Sequence, residues 1–198
     1  MTQIITLLST KGGSGKTLTT VFLSTALTRR GHSVEVWDAD VQGSASKWAA
    51  RAAEDGAPLP FEVKPMNVQT LRAGKPATDF VLIDTPPGGE SVQTEAVKRA
   101  DLVIMPTVPG MMDMDQMWTT LDNLGATPAI VLLNRGKERT TLLDQARDAL
   151  IAEEVPLFDG EPRDLTLYSR QVYARPAELG TFAFIADELL DIMKGINQ

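Results

Sequence analysis

Ile4-Ile5-Thr6-Leu7-Leu8, followed by Lys11-Gly12-Gly13-Ser14-Gly15-Lys16-Thr17, is the stretch whose reading decides the fold. The first run is apolar and β-branched, as a buried strand requires, and a helical pattern follows the second through about Arg30. Strand, glycine loop, lysine, hydroxyl and helix in that order make a phosphate-binding loop, whose general pattern is G-x-x-x-x-G-K-[ST]. Gly15-Lys16-Thr17 fit it, and Thr10 stands at the first glycine position. Gly12, Gly13 and Gly15, with Ser14 among them, let backbone N–H groups approach phosphate oxygens. The helix start adds its positive end. Lys16 supplies a mobile charge for the β- and γ-phosphates, and Thr17 offers a hydroxyl to Mg²⁺. The expected ligand is a nucleoside triphosphate, ATP, with Mg²⁺.

Outward from that loop, short β-rich runs alternate with helical patterns. Ser33-Val34-Glu35-Val36-Trp37 reads as a second strand, residues 45–54 as a helix stopped by Gly56-Ala57-Pro58, and Phe61-Glu62-Val63 as a short edge strand. Residues 80–83, 102–105 and 129–133 are continuous apolar runs, the pattern of parallel strands covered on both faces. Leu142, Ala146, Ala149 and Leu150 share one helical face, as do Phe182, Ile185, Leu189 and Ile192. The alternation implies an α/β fold, a single doubly wound, mostly parallel sheet with helices on both faces, and one domain over residues 1–198.

Composition narrows the chemistry. With no cysteine there is no disulfide, thiolate zinc site, cysteine nucleophile or iron–sulfur cluster. No basic start precedes an apolar stretch, and no apolar run reaches the roughly 18 residues of a membrane span, so a cytoplasmic chain is expected. The net charge of −7 restricts any nucleic-acid binding to a local patch. The one histidine, His32, follows Gly31 in a turn and reads as a surface loop residue.

Carboxylates at C-terminal strand ends face the ligand crevice of an open α/β sheet. Asp38 and Asp40 follow the second strand, and Asp84 ends the run at 80–83, just before Thr85-Pro86-Pro87-Gly88-Gly89. Asp84 in this position suits Mg²⁺, and the proline–glycine stretch suits a segment that senses the γ-phosphate.

The string Lys11-Gly12-Gly13-Ser14-Gly15-Lys16-Thr17 resembles the deviant Walker A motif of the ParA/MinD family, and Ile83-Asp84-Thr85-Pro86-Pro87-Gly88 resembles its second acidic segment. The resemblance implies a dimer that sandwiches nucleotide, with Lys11 reaching the partner's phosphates. Asp38-Ala39-Asp40-Val41-Gln42-Gly43 is similar to the family's D-x-D-P-Q-G, which assigns Asp40 to the attacking water and leaves Asp38 structural. Two positions depart from the pattern. Val41 replaces a proline, and Leu18 replaces a threonine whose hydroxyl helps hold the α-phosphate, leaving Leu18 its backbone alone. Asn134 ends the run at 129–133, where related proteins read adenine through an asparagine amide. A loop-capping amide is the competing role.

Ser169-Arg170-Gln171-Val172-Tyr173-Ala174-Arg175 resembles a stretch of the small ParA partition ATPases lacking an N-terminal helix-turn-helix. That likeness implies nonspecific DNA binding by the ATP dimer, nucleoid association in that state, and a centromere-binding or cargo-adaptor protein that stimulates hydrolysis. Candidate DNA contacts are Arg170, Arg175 and Lys194, with Arg135, Lys137 and Arg139 as a second group. Met105, Met111, Met112, Met114 and Met117 concentrate near the region that lies at the family's dimer interface, and core filling competes as their role. Two other classes stand beside the partition reading. A MinD-like membrane-cycling ATPase needs a basic amphipathic C-terminal helix, and residues 187–198 are acidic, so no membrane partner is expected. An ATP-dependent metabolic enzyme needs an acceptor pocket, for which the sequence offers no constellation.

Overall fold

The computed structural model describes residues 1–134, 141–163 and 165–196. Six strands form one sheet: β1 (Gln3–Leu7), β2 (Val34–Asp38), β3 (Glu62–Pro65), β4 (Phe80–Asp84), β5 (Leu102–Thr107) and β6 (Ala129–Leu133). All pairings are parallel, in the order β3-β2-β4-β1-β5-β6. The helices are α1 (Lys16–Arg29), α2 (Ser44–Glu54), α3 (Val68–Ala73), α4 (Glu90–Arg99), α5 (Met111–Asp122), α6 (Thr141–Ala152), α7 (Leu165–Ser169) and α8 (Phe182–Ile196).

The unbroken apolar strands follow from coverage on both faces. In β4, Phe80 and Leu82 pack into one core with Phe22 and Leu23 of α1 and Ile185 of α8. Val81 and Ile83 alternate into a second core with Leu71 of α3 and Ala96 of α4. A third core joins Val131 and Leu133 to Met117 of α5 and Leu150 of α6. The run at 61–63 forms β3 at the sheet edge, shifted to Glu62–Pro65, where Pro65 gives up a donor at the strand end.

Two helix faces differ by one register step from the sequence reading. In α6 the buried residues are Leu143, Ala146 and Leu150, while Leu142 and Ala149 face solvent. Leu142 and Leu143 are adjacent, and only packing against β6 decides which one enters the core. In α8, Met193 extends the buried line of Phe182, Ile185 and Leu189, and Ile192 is half-buried beside it. His32 is half-buried, its ring edge-on to Phe80 with centroids 5.1 Å apart. Among the described residues no helix is long and apolar enough to cross a membrane.

Candidate functional site

The chain leaves β1 at Leu7, crosses residues 8–15 and enters α1 at Lys16. Gly15 caps the helix in the left-handed region at φ 98°. A Cβ built there would stand 2.2 Å from Asn134 Nδ2. Both backbone and space therefore require glycine. Asn134, 2% exposed at the end of β6, donates from Nδ2 to Ser14 O at 3.1 Å. It buttresses the loop from beneath, which is the loop-capping role, and it also borders the cavity above.

That cavity is about 620 Å³. Gly12, Gly13, Gly15, Lys16, Thr17 and Leu18 form one wall. Asp40, Gln42 and Ser44 form a second from the turn after β2, with Pro87 from the turn after β4. Thr166, Tyr168, Ser169 and Val172 close it from α7 and the turn that follows. The sequence reading named none of Gln42, Ser44, Thr166, Tyr168, Ser169 or Val172 for this site. Gln42 and Ser44 lie within and just after the Asp38–Gly43 string, whereas nothing local marks Thr166 or Tyr168, because the sheet brings α7 beside residues about 150 positions away only once it has folded.

Lys16 is 7% exposed, and its Nζ donates to Ser9 O at 3.1 Å and Lys11 O at 3.2 Å. Burial lowers its pKa, while Asp84 and Asp40 oppose that shift. Asp84 is fully buried, and its Oδ2 accepts from the Thr17 hydroxyl at 2.7 Å. Its Oδ1 has no hydrogen-bond partner among the described residues. Burial pushes its pKa up to about 7, Thr17 and Lys16 act the other way, and Asp38 and Asp40 add to the rise. A buried orphan carboxylate oxygen beside a hydroxyl is a donor set suited to a hard divalent cation. Thr17 and Asp84 thus fit Mg²⁺. Among the described residues no three acidic or histidine side chains gather to hold an ion alone, so phosphate oxygens would complete its shell.

Asp38 and Asp84 lie abreast in the register of β2 and β4. Asp38 Oδ2 accepts from Ser46 N at 2.8 Å and Ser46 Oγ at 2.6 Å, satisfying a free N–H of the first turn of α2. Asp40 Oδ1 accepts from Gln42 N at 2.8 Å, which shapes the turn, and the residue also lines the cavity. Val41 is 93% exposed at the turn's tip. The turn after β4 is tethered at its start: Thr85 Oγ1 donates to Leu7 O at 2.6 Å, and Gln93 Nε2 of α4 donates to Pro86 O at 2.8 Å. Gly88 and Gly89, beyond those tethers, both have positive φ.

Lys11 does not line the cavity it borders in sequence. Its Nζ turns to Asp113 Oδ2 in the first turn of α5, at 2.6 Å. Sequence reasoning missed Asp113, which lies 102 positions away. The methionines divide: Met105, Met114 and Met117 are core, whereas Met111 and Met112, just before Asp113, are 82% and 72% exposed.

The basic candidates do not form one patch. Arg170 and Arg175 are exposed in the segment whose Ser169 and Val172 line the cavity. Lys194 pairs with Asp191 at 2.7 Å and borders a hollow with Gln3, His32 and Asp79, at the opposite end of the sheet. Arg135, Lys137 and Arg139 lie outside the described residues. The basic segment is braced internally. Gln171 Oε1 accepts from Ala177 N and Glu178 N, and its Nε2 donates to Leu167 O and Glu178 O. Tyr173, at φ 67°, holds its ring against Trp48 and under Arg51 of α2. Trp48 Nε1 donates to Ala174 O at 2.7 Å.

A parallel sheet with a glycine loop between its central strand and a buried helix, facing two carboxylates, defines a P-loop nucleotide-binding domain. The family described as the CobQ/CobB/MinD/ParA nucleotide binding domain matches residues 5–175, and the chain belongs to it. Maintenance of carboxysome distribution protein A of Gloeobacter kilaueensis is 34% identical over 176 residues, spanning 85% of this chain and 80% of that protein. Protein virC1 of Rhizobium radiobacter is 26% identical over 183 residues, spanning 84% and 79%. The septum site-determining protein MinD of Pyrococcus horikoshii, solved with Mg-ADP, superposes with a TM-score of 0.72 at 25% identity, over 100% of this chain and 99% of that one.

Proposed function

We propose that this chain is a ParA-type positioning ATPase: MgATP brings two copies together, the pair binds DNA without sequence preference, and a partner protein stimulates hydrolysis to release it. The coarser part of that statement, a nucleotide-binding ATPase of the MinD/ParA kind, rests on the family match and the shared fold. The observation that carries the finer part is the placement of Lys11, beside the phosphate loop yet directed out of its own cavity toward a face with exposed Met111 and Met112. A lysine so placed is positioned to serve a cavity other than its own.

In this reading Lys16 leaves the carbonyls of Ser9 and Lys11 for the β- and γ-phosphates. The N–H groups at the start of α1 fix the phosphate oxygens in place, and Asp40 orients the attacking water. Mg²⁺, held by Thr17 and Asp84, supplies charge neutralisation on the phosphates. Catalysis of this kind is positioning and electrostatics rather than covalent chemistry. Leu18 packs against the core below the cavity and presents no hydroxyl to the α-phosphate. Arg170 and Arg175 are the proposed phosphate contacts to DNA, on a chain otherwise acidic, so binding falls steeply with salt. The membrane-cycling alternative loses support from α8, whose apolar side is already spent on the core.

The test compares wild type with Lys11→Ala by sedimentation in Mg²⁺ and a non-hydrolysable ATP analogue, alongside steady-state hydrolysis. Loss of the dimer and of turnover is expected. A Lys11→Ala chain that dimerises and hydrolyses normally refutes the sandwich reading.

A further inference from the structure

We propose that Asp113 is a positioning residue that latches Lys11 within the subunit and sets how strongly nucleotide must pull to form the dimer. The inference rests on the sandwich reading above and adds a competitor for the lysine. The ammonium lies 2.6 Å from Asp113 Oδ2, with the lysine side chain 42% exposed and the aspartate 16%. Asp113 occupies the first turn of α5, where a carboxylate interacts favourably with the helix's positive end. Gly110, the preceding cap, has an extended backbone that any residue adopts. Its lack of a side chain leaves space at the carboxylate, since a Cβ there would stand 3.4 Å from Asp113 Oδ2. Met111 and Met112, immediately before Asp113 in α5, are exposed, and in the sandwich reading they mark the face a second copy would cover.

The chemistry of the competition gives the latch a purpose. To reach the other subunit's phosphates, Lys11 exchanges a single carboxylate charge for a polyphosphate. A triphosphate outcompetes the carboxylate by more than a diphosphate does, because it carries an additional charge at the γ-position. Asp113 therefore lowers every dimer constant by the same factor, which leaves the tighter ATP dimer populated and pushes the weaker dimers, with ADP or with empty sites, out of reach. A partly exposed ion pair is weak enough for nucleotide to break. Two break per dimer, so the effect on association is doubled in free energy.

The experiment is sedimentation equilibrium of wild type, Asp113→Asn and Asp113→Glu with Mg²⁺ and either the ATP analogue or ADP. Asp113→Asn should tighten the analogue-bound dimer about tenfold, the size expected for two partly exposed pairs, and should yield a measurable ADP dimer. Asp113→Glu, which restores the charge, should return towards wild type. Asp113→Ser, which keeps a short polar residue in the first turn, should reproduce the gain if Asp113→Asn folds poorly. The gain must vanish in a Lys11→Ala background, because the latch acts only through that lysine. Constants unchanged or weakened in both charge-removing variants overturn the latch while leaving the sandwich standing. Absence of any nucleotide-dependent dimer in wild type overturns both.

Discussion

Replacing Asp84 by asparagine should stabilise the nucleotide-free protein at pH 8 while removing its response to Mg²⁺. The carboxyl is fully buried and its pKa rises from 3.8 to about 7, first because of burial. The unfolded chain releases this proton near pH 4 and the folded chain near pH 7. Between those values the folded state keeps a proton the unfolded state has lost. Stability therefore falls as pH rises through that window and the full penalty stands above it. At 1.36 kcal/mol per pKa unit, the upper bound is on the order of 4 kcal/mol. The amide keeps the contact with Thr17 but brings donors of its own to satisfy, so a net gain of about 1–3 kcal/mol is expected at pH 8. In a chain of this size that corresponds to a melting rise of roughly 2–4 °C per kcal/mol. The assay is thermal and urea unfolding of both chains, free of metal and nucleotide, at pH 5 and pH 8. At pH 5 the folded carboxyl is protonated while the unfolded one is ionised, so only about one pKa unit of the penalty has accumulated and the gap between the chains should narrow. Adding Mg²⁺ and the ATP analogue at pH 8 should reverse the order, because wild type alone gains the metal contact. An Asp84→Asn chain less stable at pH 8, or equally more stable at both values, refutes the assignment of Asp84 as a strained, neutral-leaning carboxyl awaiting a cation.

Three further outcomes follow from the geometry. Gly15→Ala meets both a positive φ of 98° and the Asn134 amide at 2.2 Å, so isothermal titration should show nucleotide binding lost, with destabilisation of about 1–3 kcal/mol. Arg170→Ala should weaken DNA retention and lower its salt slope by about one. Lys194→Ala, whose lysine is paired and at the far end of the sheet, should leave both unchanged in a filter-binding titration.

The parts of this molecule visible in the sequence are those fixed by local rules. The apolar runs of β4, β5 and β6 announce strands because each is covered on both faces. The phosphate loop is visible because glycines, lysine and hydroxyl must follow one another directly. Short helices such as α3 and α7 carry no comparable signal, since their stability comes from the surface beneath them. Leu142 and Leu143 cannot be ranked by periodicity when a neighbour of equal hydrophobicity sits one step away. The cavity wall at Thr166, Ser169 and Val172, the Lys11–Asp113 pair and the Asn134–Ser14 bond are products of topology. Composition at either end of such a contact does not name the other.

The helix behind the phosphate loop has one more implication. α1 is buried nearly all the way round, with Val21, Phe22, Leu23, Ala26 and Leu27 at zero exposure and Thr19, Thr20, Ser24 and Thr25 equally enclosed. A helix gripped on all sides by close-packed neighbours has no low-energy direction in which to slide. It is the anvil of this molecule. Any stroke that nucleotide drives falls instead to the lighter pieces at the mouth, hinged at Gly43, Gly88 and Gly89, each already in a backbone region that other residues avoid.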